Sequence, residues 1–244
     1  MSLRVVLAGG GTAGHVNPLL ATADQFRAEG AELIIIGTEE GLERTLVPAA
    51  GYKLVTIPKA PIPRRPSTDL FRLPGKLSSA VKKAKAVISG SDVVVGFGGY
   101  VAAPAYLAAA SLGVPFAVHE QNAIPGWANK LGARKAAAVG LTFRDTELYA
   151  KHGFTEVTGM PLRKAVVELG EARSTEQGRL EARRRAAQHF GLNPDLPTLL
   201  ITGGSQGALK LNTVFADALS FFPSDVQVLH VSGIGKAESV LEAL

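Results

Sequence analysis

The 244-residue chain carries 26 Lys+Arg against 21 Asp+Glu, is 46% hydrophobic and contains no cysteine. That apolar content excludes a wholly disordered chain, which is apolar-poor and charge-rich. The lack of cysteine excludes a disulfide scaffold, a thiolate zinc site, an iron–sulfur cluster and a cysteine nucleophile.

No targeting signal is predicted at the start, because Met1-Ser2-Leu3-Arg4 runs straight into Val5-Val6-Leu7-Ala8 and a glycine turn. Strand Arg4–Ala8 is followed by a turn over 9–14 and a helix over 18–29. A β-branched strand over 32–36, a helix over 42–50 and a short strand over 54–57 come next, then a Pro-rich loop over 58–66 and a helix over 77–89. Residues 93–118 carry no charge, but Gly96, Gly98, Gly99, Pro104, Gly113 and Pro115 divide them into strand 93–95, an Ala-rich helix 102–112 and strand 116–118 rather than a membrane span. A helix over 126–131 and a strand over 137–141 complete an alternation that predicts a parallel α/β sheet. After Met160-Pro161 the pattern restarts. A charged helix over 175–190 leads to strand Thr198–Thr202, a glycine turn over 203–207, a helix over 210–219, a strand over 226–231 and a helix over 236–244. The expected organisation is two Rossmann-like doubly wound domains, 1–160 and 161–244, the second too short to close its sheet and so incomplete.

Charge is concentrated. Between Lys53 and Lys85 nine basic residues face a single acid, Asp69, with Ile62, Leu70, Phe71, Leu73 and Leu77 interleaved. Such a segment suits an anionic membrane surface, or simply a solvated loop and helix. No zinc finger or aromatic RNA-binding platform accompanies it, so nucleic acid is not an expected partner. The mixed-sign run from Arg163 to Arg185 reads as a solvated helix or linker.

Three strands end in glycine turns: Gly9-Gly10-Gly11-Thr12, Gly96-Phe97-Gly98-Gly99-Tyr100 and Gly203-Gly204-Ser205-Gln206. A glycine turn before a helix lets backbone amides approach phosphate oxygens, although the same glycines can serve helix–strand packing alone. Glu39 or Glu40 stands where a ribose-binding acid would follow the second strand. His15, next to the first turn, is a candidate general base. His119-Glu120-Gln121-Asn122 sits at the end of a buried strand, where open α/β sheets hold ligands, and would suit sugar hydroxyls or merely cap the next helix. Arg163 would lie at the domain junction, placed for a diphosphate.

Gly10-Gly11-Thr12-Ala13-Gly14-His15-Val16-Asn17-Pro18, Gly98-Gly99-Tyr100-Val101, His119-Glu120-Gln121-Asn122, Gly159-Met160-Pro161-Leu162-Arg163 and Gly203-Gly204-Ser205-Gln206-Gly207-Ala208 occur in that order over nearly the whole chain. Together they resemble the MurG family, membrane-associated N-acetylglucosaminyltransferases of peptidoglycan synthesis. The resemblance implies a GT-B fold of two Rossmann-like domains facing a cleft. It implies inverting transfer of GlcNAc from UDP-GlcNAc to the C4 hydroxyl of the MurNAc of lipid I, giving lipid II, with no cofactor and no metal in the chemical step. It also implies a cytoplasmic enzyme peripheral to the inner face of the plasma membrane, held there through residues 62–85. By position, Thr12, Ala13 and Gly14 would line the sugar-nucleotide cleft, with His15 as base. Asn122 would contact the donor sugar and His119 would support the acceptor side. Arg163 and Ser205, with Gln206 beside them, would contact the donor diphosphate, and Gly98, Gly99 and Tyr100 would help hold the lipid diphosphate. Ala13 stands where the family commonly has glycine. The family's uracil- and ribose-binding residues lie beyond position 244, so the 244 residues alone are expected to bind UDP-GlcNAc weakly and to show little activity. Two other readings remain: a nicotinamide- or flavin-dependent oxidoreductase using 9–14, and a non-catalytic module binding lipid at a membrane surface.

Overall fold

The computed structural model describes residues 2–59, 69–204 and 207–242. The chain divides into two compact units, Met1–Lys164 and Ala165–Leu244. The division falls a few residues after the expected 160/161 boundary, which leaves Arg163 with the first unit.

The first unit is a seven-stranded, wholly parallel sheet in the order β3-β2-β1-β4-β5-β6-β7. Its strands are β1 (Arg4–Ala8), β2 (Glu32–Gly37), β3 (Leu54–Thr56), β4 (Val93–Gly96), β5 (Phe116–Glu120), β6 (Ala138–Leu141) and β7 (Phe154–Val157). Helices α1 (Ala13–Ala28), α2 (Glu43–Ala49), α3 (Asp69–Ile88), α4 (Gly99–Leu112) and α5 (Trp127–Ala133) connect them. Period-2 alternation decides which residues meet which helices. Val5 and Leu7 join Leu19, Val47 and Phe97 in a core on one face, whereas Val6 and Ala8 join Ala84, Ala105 and Val118 on the other. Small side chains on α4 (Ala102, Ala105, Ala108 and Ala109, all buried) give it a close-packing surface against that second core. On α3 the i, i+4, i+8 positions Ala80, Ala84 and Ile88 are buried, while Lys76, Lys82 and Lys83 are exposed.

Differences from the sequence reading have local causes. Helices α1 and α4 start immediately after their glycine turns, upstream of the predicted starts, and carry Pro18 and Pro104 inside. A proline early in a helix forfeits one backbone bond yet keeps helical φ, so it does not mark the start. Strand β7 was not predicted: Phe-Thr-Glu-Val is a mostly exposed edge strand without a buried run. The charged run after Arg163 is two helices, α6 (Lys164–Ala172) and α7 (Glu176–Phe190), the second capped by the Thr175 hydroxyl, which accepts from the Gly178 amide at 3.1 Å. Residues 93–118 form β4, α4 and β5, and no helix among the described residues is long and apolar enough to cross a membrane.

The second unit pairs β8 (Thr198–Thr202) with β9 (Gln227–Val231) in parallel, accompanied by α7, α8 (Leu209–Ala218) and α9 (Glu238–Leu241). Asn212, fully buried on α8, donates to the Ser232 and Lys236 carbonyls at 3.0 Å each and meets His230 Nε2 at 3.0 Å, tying α8 to the loop after β9. A cavity of about 770 Å³ in this unit is lined by Leu169, Leu180, Phe190 and Leu229 among others, and by none of the candidate residues.

Candidate functional site at the carboxyl ends of the central strands

Strand order reverses direction at β1, which pairs with β2 on one side and β4 on the other. The carboxyl ends of strands at such a switch point form a natural crevice, since the connecting helices leave in opposite directions. The ends of β4 and β5 and the helix starts that follow β1 and β4 bring His15, Gly98, Gly99 and His119 to this end of the sheet.

The half-buried His15 Nδ1 lies 3.1 Å from the Gly10 carbonyl oxygen and 3.2 Å from the Thr12 hydroxyl. A carbonyl only accepts, so Nδ1 carries the proton and donates. Nε2 is then the acceptor nitrogen. The edge of the ring holding Nε2 lies against Gly98, where a Cβ would come within 3.2 Å of it. Gly99 is tighter: with φ +78°, its Cβ would stand 2.5 Å from the Gly10 oxygen. Only glycine fits there, because both the backbone conformation and the approach of the β1 turn forbid a side chain.

The first turn does not present all its amides outward. Gly11 N–H donates to the Glu43 carboxylate at 2.8 Å, and the same carboxylate accepts from the Thr38 amide (2.9 Å) and hydroxyl (2.7 Å). A Cβ on Gly10 would land 2.3 Å from Glu43 Oε1. Part of the glycine pattern expected for phosphate is therefore packing around a buried acid. Glu39 and Glu40 are exposed, and Glu40 pairs with Lys59 at 2.9 Å. Glu43 is the acid that turns inward, and its place in the first turn of α2 was its one sequence signal. Burial pushes the Glu43 carboxyl up, but the bonds from Gly11 and Thr38 outweigh it and hold it below the ordinary carboxylate range.

At the end of β5, Glu120 is 1% exposed and accepts from the Asn122 amide and side chain, the Gly126 amide and Asn129 Nδ2, all at 2.8–2.9 Å. It organises the loop and the start of α5, so the helix-capping alternative describes Glu120 and the sugar-hydroxyl alternative does not. Asn129, missed from sequence, is buried and also donates to the His119 carbonyl at 3.1 Å while accepting from Tyr106 at 2.9 Å. A lone Asn inside a helical pattern gives no local sign of such a role.

His119 is 7% exposed, with Nε2 on the Gly159 carbonyl at 2.9 Å and Nδ1 facing Gln121 Nε2 at 3.0 Å. Both ring nitrogens are thus engaged within the protein, and β5 is tied to the Gly159–Arg163 stretch. Asn122 and Arg163 are exposed, as are Thr12 and Gly14, with Ala13 half-buried. Tyr100 is 43% exposed, its ring centroid 5.8 Å from the Lys59 ammonium. Ser205 and Gln206 lie outside the described residues, as do 62–68 of the basic segment.

Burial lowers the pKa of both His15 and His119. Hydrogen bonds to the Gly10 and Gly159 carbonyls, the Glu120 charge on both rings and the Glu43 charge on His15 only partly offset it. Both rings are therefore neutral at pH 7. A depressed base contributes stability that is present above its unfolded pKa of roughly 6.5 and is lost as pH falls through the lower folded value. Urea midpoints are accordingly expected to fall between about pH 7.5 and about pH 5.5, and less so in His119→Asn. A midpoint unchanged over that interval would contradict the burial of these rings.

The sequence profile of the glycosyltransferase family 28 N-terminal domain matches residues 5–141, more than half of the chain. A UDP-N-acetylglucosamine–N-acetylmuramyl-(pentapeptide) pyrophosphoryl-undecaprenol N-acetylglucosamine transferase from Clavibacter michiganensis is 51% identical over 93% of this chain and 60% of its own length. The protein of the same name from a Nocardioides strain is 49% identical over 95% and 61%. Among solved structures, Acinetobacter baumannii MurG matches with a TM-score of 0.68 and 28% identity over 99% of this chain and 62% of that one. Anabaena HepE, solved with UDP-glucose, matches with a TM-score of 0.63 at 14% identity over 98% of this chain and 64% of that one, a likeness of fold alone. The chain thus spans about 60% of the length of the curated relatives it matches. With its doubly wound parallel sheet, glycine turns and these relatives, the chain belongs to glycosyltransferase family 28 and groups there with the MurG proteins.

Proposed function

We propose that the protein carrying this chain is an inverting glycosyltransferase that moves GlcNAc from UDP-GlcNAc to the C4 hydroxyl of the MurNAc of lipid I, producing lipid II. One observation carries the chemistry: His15 holds its Nδ1–H on the Gly10 carbonyl at the switch point of the sheet, leaving Nε2 as a neutral base. In this reading the acceptor hydroxyl gives its proton to Nε2 as the oxygen attacks the anomeric carbon from the face opposite UDP. The C1–O bond breaks with its electron pair on the departing diphosphate, and configuration inverts. Thr12, Ala13 and Gly14 border the sugar nucleotide, and Asn122, held by Glu120, meets the donor sugar. His119, with both nitrogens engaged, shapes the acceptor side through Gly159. Gly98, Gly99 and Tyr100 receive the lipid diphosphate; Arg163, Ser205 and Gln206 receive that of the donor. Residues 62–85, with Lys76, Lys82 and Lys83 exposed on α3, lie on the anionic inner face of the plasma membrane.

The test is a transfer assay of the whole protein that carries this chain, with UDP-GlcNAc and lipid I presented in anionic vesicles; the 244 residues alone should show little turnover. UDP release matched by a β-linked disaccharide lipid is the expected result. Binding of lipid I without UDP release would support a non-catalytic module instead. Thermal stabilisation by NAD(H) but not by UDP-GlcNAc would support an oxidoreductase.

A further inference from the structure

We propose that Glu43 is a positioning residue for His15, acting through the single peptide unit between Gly10 and Gly11. It rests on the reading of His15 as the base. No cis bond occurs among the described residues, so the Gly10 carbonyl and the Gly11 N–H project from opposite edges of one rigid plane. Glu43 Oε2 holds the N–H edge at 2.8 Å, and His15 Nδ1 holds the carbonyl edge at 3.1 Å. A carboxylate pulling on the amide polarises the carbonyl, making it a better acceptor for Nδ1–H. The result is a carboxylate–peptide–imidazole chain in which the peptide stands where a carboxylate contacts the ring directly in a dyad.

The surroundings leave this plane little freedom. Gly10, Gly37 and Gly41 close on Glu43 so tightly that a Cβ on any of them would fall within 2.0–2.5 Å of its side chain. Gly99 packs against the same carbonyl, whose oxygen a Cβ there would approach to 2.5 Å. Glu43 is fully buried, and its two further bonds to Thr38 leave the carboxylate one orientation. The charged groups acting on His15 are Glu43 on α2 and Glu120 on β5; Gly10, Thr12 and Gly98 are its uncharged neighbours.

The experiment follows the His15 imidazole by 15N and 13C NMR in wild type, Glu43→Gln and Thr38→Val, with kcat and KM measured alongside. The wild type should show the Nδ1–H tautomer. Glu43→Gln should lose part of that preference and titrate at lower pH, because a negative charge has gone. Its kcat should fall on the order of tenfold with KM for UDP-GlcNAc little changed. Thr38→Val also removes a hydrogen bond to Glu43 but spares the Gly11 link, so it should leave the ring as in wild type. A folded Glu43→Gln with wild-type tautomer and titration would overturn the inference. If that variant does not fold, Glu43→Asp takes its place, because it keeps the charge but draws the carboxylate back from the Gly11 N–H: a wild-type tautomer preference would overturn the inference, and a weakened one would uphold it. The NMR readout is independent of transfer: a responsive ring whose removal leaves kcat intact would refute the base and spare the positioning.

Discussion

Replacing His15 with alanine is expected to lower kcat for GlcNAc transfer by about 10²- to 10⁴-fold, the usual contribution of a positioned general base. The ring sits at the sheet's switch point, is neutral at pH 7 because burial depresses its pKa, and has Nδ1 committed to Gly10. Nε2 is therefore the nitrogen available to an acceptor hydroxyl. As it takes the proton, the charge that forms is attracted by Glu120 and Glu43, the same carboxylates that already act on the resting ring. Because this attraction appears mainly as charge develops, its loss belongs to kcat rather than to ground-state binding, and KM for UDP-GlcNAc should change little. Asparagine in place of His15 can keep a hydrogen bond but has no basic nitrogen, so it should be nearly as slow. A His15→Ala enzyme within a few-fold of wild-type kcat would remove His15 from the proton transfer.

Glu120→Ala is expected to cost about 3 kcal/mol of stability and to lower the melting temperature by roughly 6–12 °C. Four N–H donors lose their acceptor together. Those on exposed Asn122 and Gly126 can turn to water, but the Asn129 amide is 2% exposed and has no such recourse. The volume vacated by a fully buried side chain adds to the loss. Glu120→Gln should not rescue it, since one carboxamide edge would set an NH2 against two donors. Thermal melts and urea titrations check this directly. Were Glu120 instead a group facing substrate, its removal would leave the melting temperature unchanged or raised while abolishing transfer, and that pattern would sink the assignment. Through Asn122 and the backbone of His119, both hydrogen-bonded to the Glu120–Asn129 pair, the substitution should also weaken substrate binding.

The sequence alone determined the strand-and-helix alternation of a parallel α/β sheet, the strand ends that carry glycine turns, and the five motifs that mark the family. Each of these is a local property: strand and helix periodicities and turn chemistry act over a few residues, and hydrophobic runs declare buried strands wherever they occur. Edge strand β7 escaped because its exposed residues lack that pattern. Partner choice was decided only by the tertiary structure. Gly11 and Glu43 are 32 residues apart and His119 and Gly159 are 40 apart, while Asn129, nine residues past Glu120, reads as an ordinary helical residue until α5 folds back on the end of β5. A buried carboxylate must be matched by donors in three dimensions, and chain packing, not local spacing, selects which donors those are. That is why His15 could be singled out from its motif and capping could be offered for the 119–122 stretch, since the donors to Glu120 lie within nine residues of it, while Glu43 acquired its role only once β1 and β2 were placed side by side.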